Sequence, residues 1–223
     1  MITFFNRGVL WIAILTLAAS SAAAKEDDLP DVTEDGLHRV PDSRMAVVYA
    51  DPEADLSGYQ KVQLLDVYVA FKKNWERDQR STSISSMRVT SSDVEKIKQR
   101  LADEFRTVFT ESLEEGGYPV VDQAADDVLL LRPAIINLDV NAPDIPRAGR
   151  SQTYTDSAGE MTLYIELYDS VTGDLIAKAV DRRIDRNNGY YTWSNSVTNR
   201  AAADRILKGW AEILITALNE AKE

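Results

Sequence analysis

From Met161 to Asp169 the chain alternates without a break. Met161, Leu163, Ile165 and Leu167 fall on one side, and Thr162, Tyr164, Glu166 and Tyr168 on the other. A period of two is the mark of a half-buried β-strand. "SVTGD" follows as a turn, with Gly173 placed where a positive φ is expected, and Leu175 to Ile184 returns, so the pair predicts a hairpin. This phasing puts Ile165 in the core and Glu166 in solvent. Ile165→Asp is therefore expected to be far more disruptive than Glu166→Lys, an exposed charge swap of less than about 0.5 kcal/mol. Upstream, "MAVVYA" (Met45 to Ala50) is a candidate strand and "DPEADLSGY" a turn. Lys61 to Phe71 predicts a longer strand whose more apolar side is Gln63, Leu65, Val67, Val69 and Phe71. Asp127 to Val140 predicts a long strand broken at Pro133, which cannot donate to a ladder and implies a bulge or an edge position.

Two stretches change period. In "SSDVEKIKQRLADEFRTVFTESLEEGG", Val94, Ile97, Leu101, Phe105, Val108 and Leu113 recur at roughly helical spacing. Ser92 and Glu95 have the spacing of a capping box, and Gly116 and Gly117 supply the stop. The stripe is narrow and its back mixes both charges, which favours a core face over a membrane or partner face. Ala201 to about Ala221 predicts a second helix, with Ile206, Trp210, Ile213, Leu214 and Ala217 along one side. Hairpin strands, one long helix inserted early and one at the end describe an α+β domain: a mostly antiparallel sheet with two long helices packed on one face. No internal repeat is present.

The N-terminal pattern differs from the rest. Val9 to Ala19 is an apolar run of about eleven residues behind Arg7, too short to span a bilayer core of about 30 Å as a helix. Ala22 and Ala24 stand at the small-residue positions of a cleavage site before Lys25. Residues 1–24 are thus expected to be a signal peptide, an uncut membrane anchor being the alternative. Lys25 to Arg44, rich in acids with two prolines, is expected to be a flexible acidic leader. Residues 45–223 are expected to form a single α+β domain. The expected location is periplasmic or secreted, with no stable membrane anchor. The chain has no cysteine, which removes disulfides, thiolate chemistry and a lipidated N-terminal cysteine. A formal net charge of −11 opposes phosphate backbones, so no nucleic-acid partner is expected.

Candidate chemistry is sparse. His38 is the single histidine and lies in the expected leader, which argues against Ser–His catalysis or a His-rich metal site. "EEGGY" ends a helix, the wrong polarity for an anion-binding loop. Asp51, Glu53 and Asp55 lack the ligand spacing of an EF-hand and suit a solvated turn. In "DRRIDR", Arg182 and Arg183 either pair with nearby acids or make an anion site. No catalytic residue, cofactor or metal is expected. The suggestive loop is "NNGYYTW". Tyr190, Tyr191 and Trp193 either fold back on the sheet or form a recognition surface, since amphipathic aromatics give much contact area at low entropy cost. Trp75 in "FKKNWERDQR" raises the same question.

"DPEADLSGYQKVQLLDVYVAF", "VLLLRPAIINLDVNAPD" and "LYIELYDSVTGDLIAKAVDRR" together resemble the bacterial envelope family catalogued as domain of unknown function 3313, over roughly Leu37 to Ala221. Many members look like lipoproteins, and this chain departs from them in having no cysteine. The resemblance implies the fold and an envelope setting, with no functional residue to carry over. At the level of fold alone, the plan is also similar to small auxiliary lipoproteins of envelope transport systems. The expected function is a non-catalytic exported protein that binds an envelope protein partner. The alternative is a small-ligand or lipid carrier with a pocket between sheet and helices lined by Trp210 and Phe105.

Overall fold

A computed structural model describes residues 29–82, 89–140, 153–155, 159–185, 192–194 and 196–223. The expected signal segment, and Tyr190 and Tyr191, lie outside the described residues. A compact unit runs from Asp31 to Glu223. Its strands are β1 (His38–Arg39), β2 (Val47–Ala50), β3 (Lys61–Leu64), β4 (Tyr68–Phe71), β5 (Val128–Val140), β6 (Thr153–Thr155), β7 (Gly159–Asp169), β8 (Leu175–Ile184) and β9 (Thr192–Ser194). The helices are α1 (Trp75–Thr82), α2 (Ser91–Glu115) and α3 (Ser196–Glu220). Seven strands form one sheet in the order β1-β2-β8-β7-β5-β3, with β4 also pairing β5, and β6 with β9 makes a separate antiparallel ribbon. Pairing in the large sheet is antiparallel except for β3 and β4, which run parallel to β5. The expected α+β architecture is the one found.

The β7–β8 hairpin forms where the alternation put it. Asp169 Oδ1 accepts from the backbone N–H of Val171 and Thr172 at 2.8 and 2.7 Å, and Gly173 takes φ 75°, so the turn is closed by a side chain and a left-handed glycine. Met161, Leu163, Ile165 and Leu167 are buried against the helices together with Leu129, Leu131 and Ile135 of β5. On α2, Leu101, Phe105, Val108, Phe109 and Leu113 enter the same core. Phe105 stacks on Phe109 at 4.0 Å.

Several expectations are corrected. The leader is folded from Asp31 onward: Leu37 is buried, and β1 pairs with β2 through His38–Ala50 and Arg39–Tyr49. The helix cap is Thr90, two residues before the expected Ser92. The Thr90 hydroxyl accepts from Asp93 N–H at 3.2 Å, and the Asp93 carboxylate accepts from Thr90 N–H at 2.9 Å. The strand expected over Lys61–Phe71 is two strands. Val62 and Leu64 point inward from β3, and Val69 from β4, so the phase changes across Leu65–Val67. The cause lies on the neighbouring strand. The Leu131 carbonyl faces β3 and accepts from Leu65 N–H at 3.0 Å. Pro133, two residues on, therefore turns its missing donor to the same side. The register shifts by one residue there, from Leu64–Leu131 to Tyr68–Ala134. Pro133 thus stands where β5 passes from pairing β3 to pairing β4, and it keeps its register with Ile165 of β7. On α3 the buried stripe is Ala202, Leu207, Trp210, Ala211 and Leu218, while Ala217 is exposed.

A buried carboxylate joins the layers. Asp181 on β8 accepts from Trp210 Nε1–H at 2.7 Å, from Arg183 Nε–H at 2.6 Å and from Ala46 N–H at 3.1 Å. It thereby ties α3 and the segment before β2 to the centre of the sheet. Arg182 pairs with Glu160. Arg182 and Arg183 of "DRRIDR" are thus committed to carboxylates, which resolves these two as paired, while Arg186 lies outside the described residues.

Candidate interaction surface

The sheet has two faces, and α2 and α3 pack on one. The opposite face is set by the same alternation and by strand register. Arg132, Glu166, Lys178, Tyr49 and Arg39 are successive Cα partners across β5, β7, β8, β2 and β1, so they form a transverse row. The next row is Tyr68, Ala134, Tyr164, Val180 and Val47.

Glu166 organises the first row. It is only 7% exposed, although α2 and α3 pack on the other face. Its Oε1 accepts from Tyr164 Oη–H at 2.5 Å, and its Oε2 accepts from Tyr168 Oη–H at 3.0 Å and from Arg132 Nε–H at 2.5 Å. The Arg132 guanidinium also lies 5.1 Å from the centre of the Tyr168 ring, within cation–π range. Lys178, the Cα partner of Glu166 on the other side, gives its ammonium to Asp35 at 2.5 Å. Asp35 belongs to the segment expected to be a flexible leader. The expectation of a solvated Glu166 is therefore overturned: periodicity assigned the face correctly, but the flanking tyrosines and arginine close over the carboxylate.

The electrostatics follow. Burial, then the hydrogen bond to Glu166, pushes the Tyr164 phenol well above its ordinary range. Burial, then the Glu166 charge, pushes Tyr168 up to about 12. Both phenols are firmly protonated donors at neutral pH. Glu166 is engaged by three donor groups, which leaves it little capacity to act as a base. What the arrangement presents is two tyrosines fixed by their hydroxyl bonds and one half-exposed guanidinium.

The candidates from sequence fare differently. Trp75 is buried at 4%, stacks on Phe71 at 4.1 Å and donates from Nε1 to the Val140 carbonyl at 3.3 Å. It anchors α1 and is not offered to a partner. Trp193 lies in β9 as the register partner of Tyr154. Phe105 and Trp210 are 1% and 0% exposed and belong to the packed core. Sequence reading missed Glu166 as a candidate. Its mark was present in "YIELY", where Tyr164 and Tyr168 stand two residues either side and so share its face. His38 is exposed on the short strand β1. No group of three His, Cys, Asp or Glu residues suited to a metal occurs among the described residues.

A family model described as a protein of unknown function, DUF3313, matches residues 32–214. No curated protein matches the chain. Among solved structures, the chain is similar to the PelC dodecamer from Paraburkholderia phytofirmans at 13% identity and a TM-score of 0.38, covering 75% of this chain and 95% of that one. It is similar to a DUF330 protein from Xanthomonas campestris at 13% identity and TM-score 0.40, covering 74% and 86%. It is also similar to the lipoprotein GNA1162 from Neisseria meningitidis at 13% and TM-score 0.22, covering 68% and 96%. Likenesses this loose carry nothing about activity or assembly.

Proposed function

The chain belongs to DUF3313, a family of proteins of unknown function, and from that premise we propose that it is a non-catalytic exported protein that binds an envelope protein partner through the open face of its sheet. Export rests on the apolar run and small-residue site within residues 1–24. No helix among the described residues is long and apolar enough to cross a membrane. The observation that carries the proposal is the row Arg132–Glu166–Lys178 with Tyr164 and Tyr168. Tyrosine and arginine dominate the energetic centres of protein interfaces because they bring large contact areas with few torsions to freeze. Here those torsions are already fixed by Glu166, so docking would incur little further ordering.

A non-catalytic role is supported by how the buried acids are used. Glu166, Asp181 and Asp185 each hold an arginine: Arg132, Arg183 and Arg205. These acids neutralise cations and cross-link strands and helices. The test is site-specific photo-crosslinking in intact cells. Probes at Ile136 and Val180 sample the open face, and probes at Lys208 and Glu212 sample the back of α3. The proposal expects one shared adduct, identified by mass spectrometry, from the first pair only, and its loss in Arg132→Glu. No adduct from the sheet positions, or equal adducts from both pairs, would overturn it.

A further inference from the structure

The helical layer is closed at one end and open at the other. Where Phe105, Phe109, Leu207 and Trp210 meet, all four are fully buried. Towards the start of α3 the facing residues shrink to Ala202 and Ala203, while α2 offers Ile97 and Leu101 and the sheet offers Leu138 and Met161. Small side chains on one helix cannot fill the space that aromatics fill lower down. A cleft of about 620 Å³ remains between α2, α3 and the ends of β5 and β7. That size lies within the range of small-molecule sites, which is about 300–1,000 Å³. Its lining on α2 runs from Ile97 to Thr107, about 15 Å at the rise of an α-helix. A lining of that length is enough to accompany a linear chain.

The rim decides the head group. Glu104 of α2 pairs with Arg200 of α3 at 2.7 Å, bridging the two helices beside the cleft. Asp185 is held by Arg205 at 2.6 Å and Asp139 by Lys72 at 3.1 Å. Glu160 is held by Lys72 and Arg182. These rim carboxylates are neutralised. Asp103 accepts from Gln99 Nε2–H at 2.8 Å. Arg100, on α2 one turn before Glu104, lines the cleft. No carboxylate lies within ion-pair distance of it among the described residues. We infer that the cleft binds a single-chain amphiphile with a carboxylate head, a long-chain fatty acid. Its chain lies over Ile97, Leu101, Leu138 and Met161, and its head meets Arg100. This site is on the other side of the sheet from the proposed partner surface, so the two proposals fail separately.

The experiment is displacement of a fluorescent fatty-acid analogue from the exported chain (Lys25–Glu223) by palmitate, hexadecanol or hexadecyltrimethylammonium. Saturable binding is expected, with palmitate the strongest competitor. Arg100→Gln should weaken palmitate about tenfold, the worth of one charged hydrogen bond, and leave hexadecanol unchanged. Ala203→Trp should fill the cleft and abolish binding of all three. Ile206→Trp is the second filling variant, and urea midpoints identify which of the two is folded. Absence of saturable binding would overturn the assignment. So would unchanged affinity in a folded filling variant, or a preference for the ammonium amphiphile that Arg100→Gln does not alter.

Discussion

Ile165 and Glu166 are neighbours on β7, and both are withdrawn from water, at 3% and 7% exposure, on opposite faces of the sheet. Ile165 belongs to the apolar cluster formed with Leu, Phe and Met side chains. Glu166 is buried by its own ligands: two tyrosines two residues away on the same strand and an arginine on the next. The helix-facing side is held mainly by contact area, with Asp181, bonded to Trp210, Arg183 and Ala46, as its directed exception. The open side is held by a few directed hydrogen bonds, each replaceable but only in kind. One face gives the molecule its stability, and the other fixes a pattern of side chains in space.

The largest effect that separates the faces is Ile165→Asp. It places an unpaired carboxylate among hydrocarbon and is expected to cost about 5 kcal/mol, enough to abolish a cooperative urea transition. Next comes Trp210→Ala, expected to cost about 3–5 kcal/mol because it removes a fully buried ring and strips Asp181 of a donor. A midpoint shift equivalent to less than about 1 kcal/mol would mean that α3 is not packed on the sheet as described. The smallest is Tyr164→Phe, which deletes one hydrogen bond to Glu166 and is expected to cost about 1 kcal/mol.

The same tyrosines give the comparison a pH dependence. Tyr168 and Tyr59 are pushed up to about 12, Tyr59 by burial and its hydrogen bond to Asp169, and Tyr164 is raised as well. An unfolded tyrosine ionises near about 10. A phenol whose folded pKa is raised lends stability that is complete below pH about 10 and is lost as pH rises towards about 12. Urea midpoints should therefore fall through that window, and Tyr164→Phe should fall less steeply than the wild type. A flat profile in both would contradict the burial of these phenols.

Much of this was legible in the sequence, for identifiable reasons. The β7–β8 hairpin and the α2 stripe depend on local period and turn chemistry alone, and both formed as expected. The split of β3 from β4 was not legible in its own residues, because its cause is Pro133 on another strand. Tertiary pairing likewise recruited Asp35 and His38 from an acidic segment that composition alone marks as loose. The proposed partner surface lay hidden for a related reason. "YIELY" states which residues share a face, but Arg132 and Lys178 join them only through register across β5 and β8. Trp75 and Trp210 illustrate the reverse: a tryptophan in a polar stretch and one in a helix stripe are both buried, each with its Nε1–H bonded.

The claim that the open face is a built layer held by Glu166, and not a wetted surface, is tested most directly by the urea unfolding of Glu166→Lys beside Glu95→Lys. Glu95 is an exposed acid paired with Lys98 along α2, and its reversal is expected to cost less than about 0.5 kcal/mol. Glu166→Lys removes the acceptor of three donors and sets a new cation between Arg132 and Lys178, and a loss of about 3 kcal/mol is expected. Equal midpoints for the two variants would contradict the account.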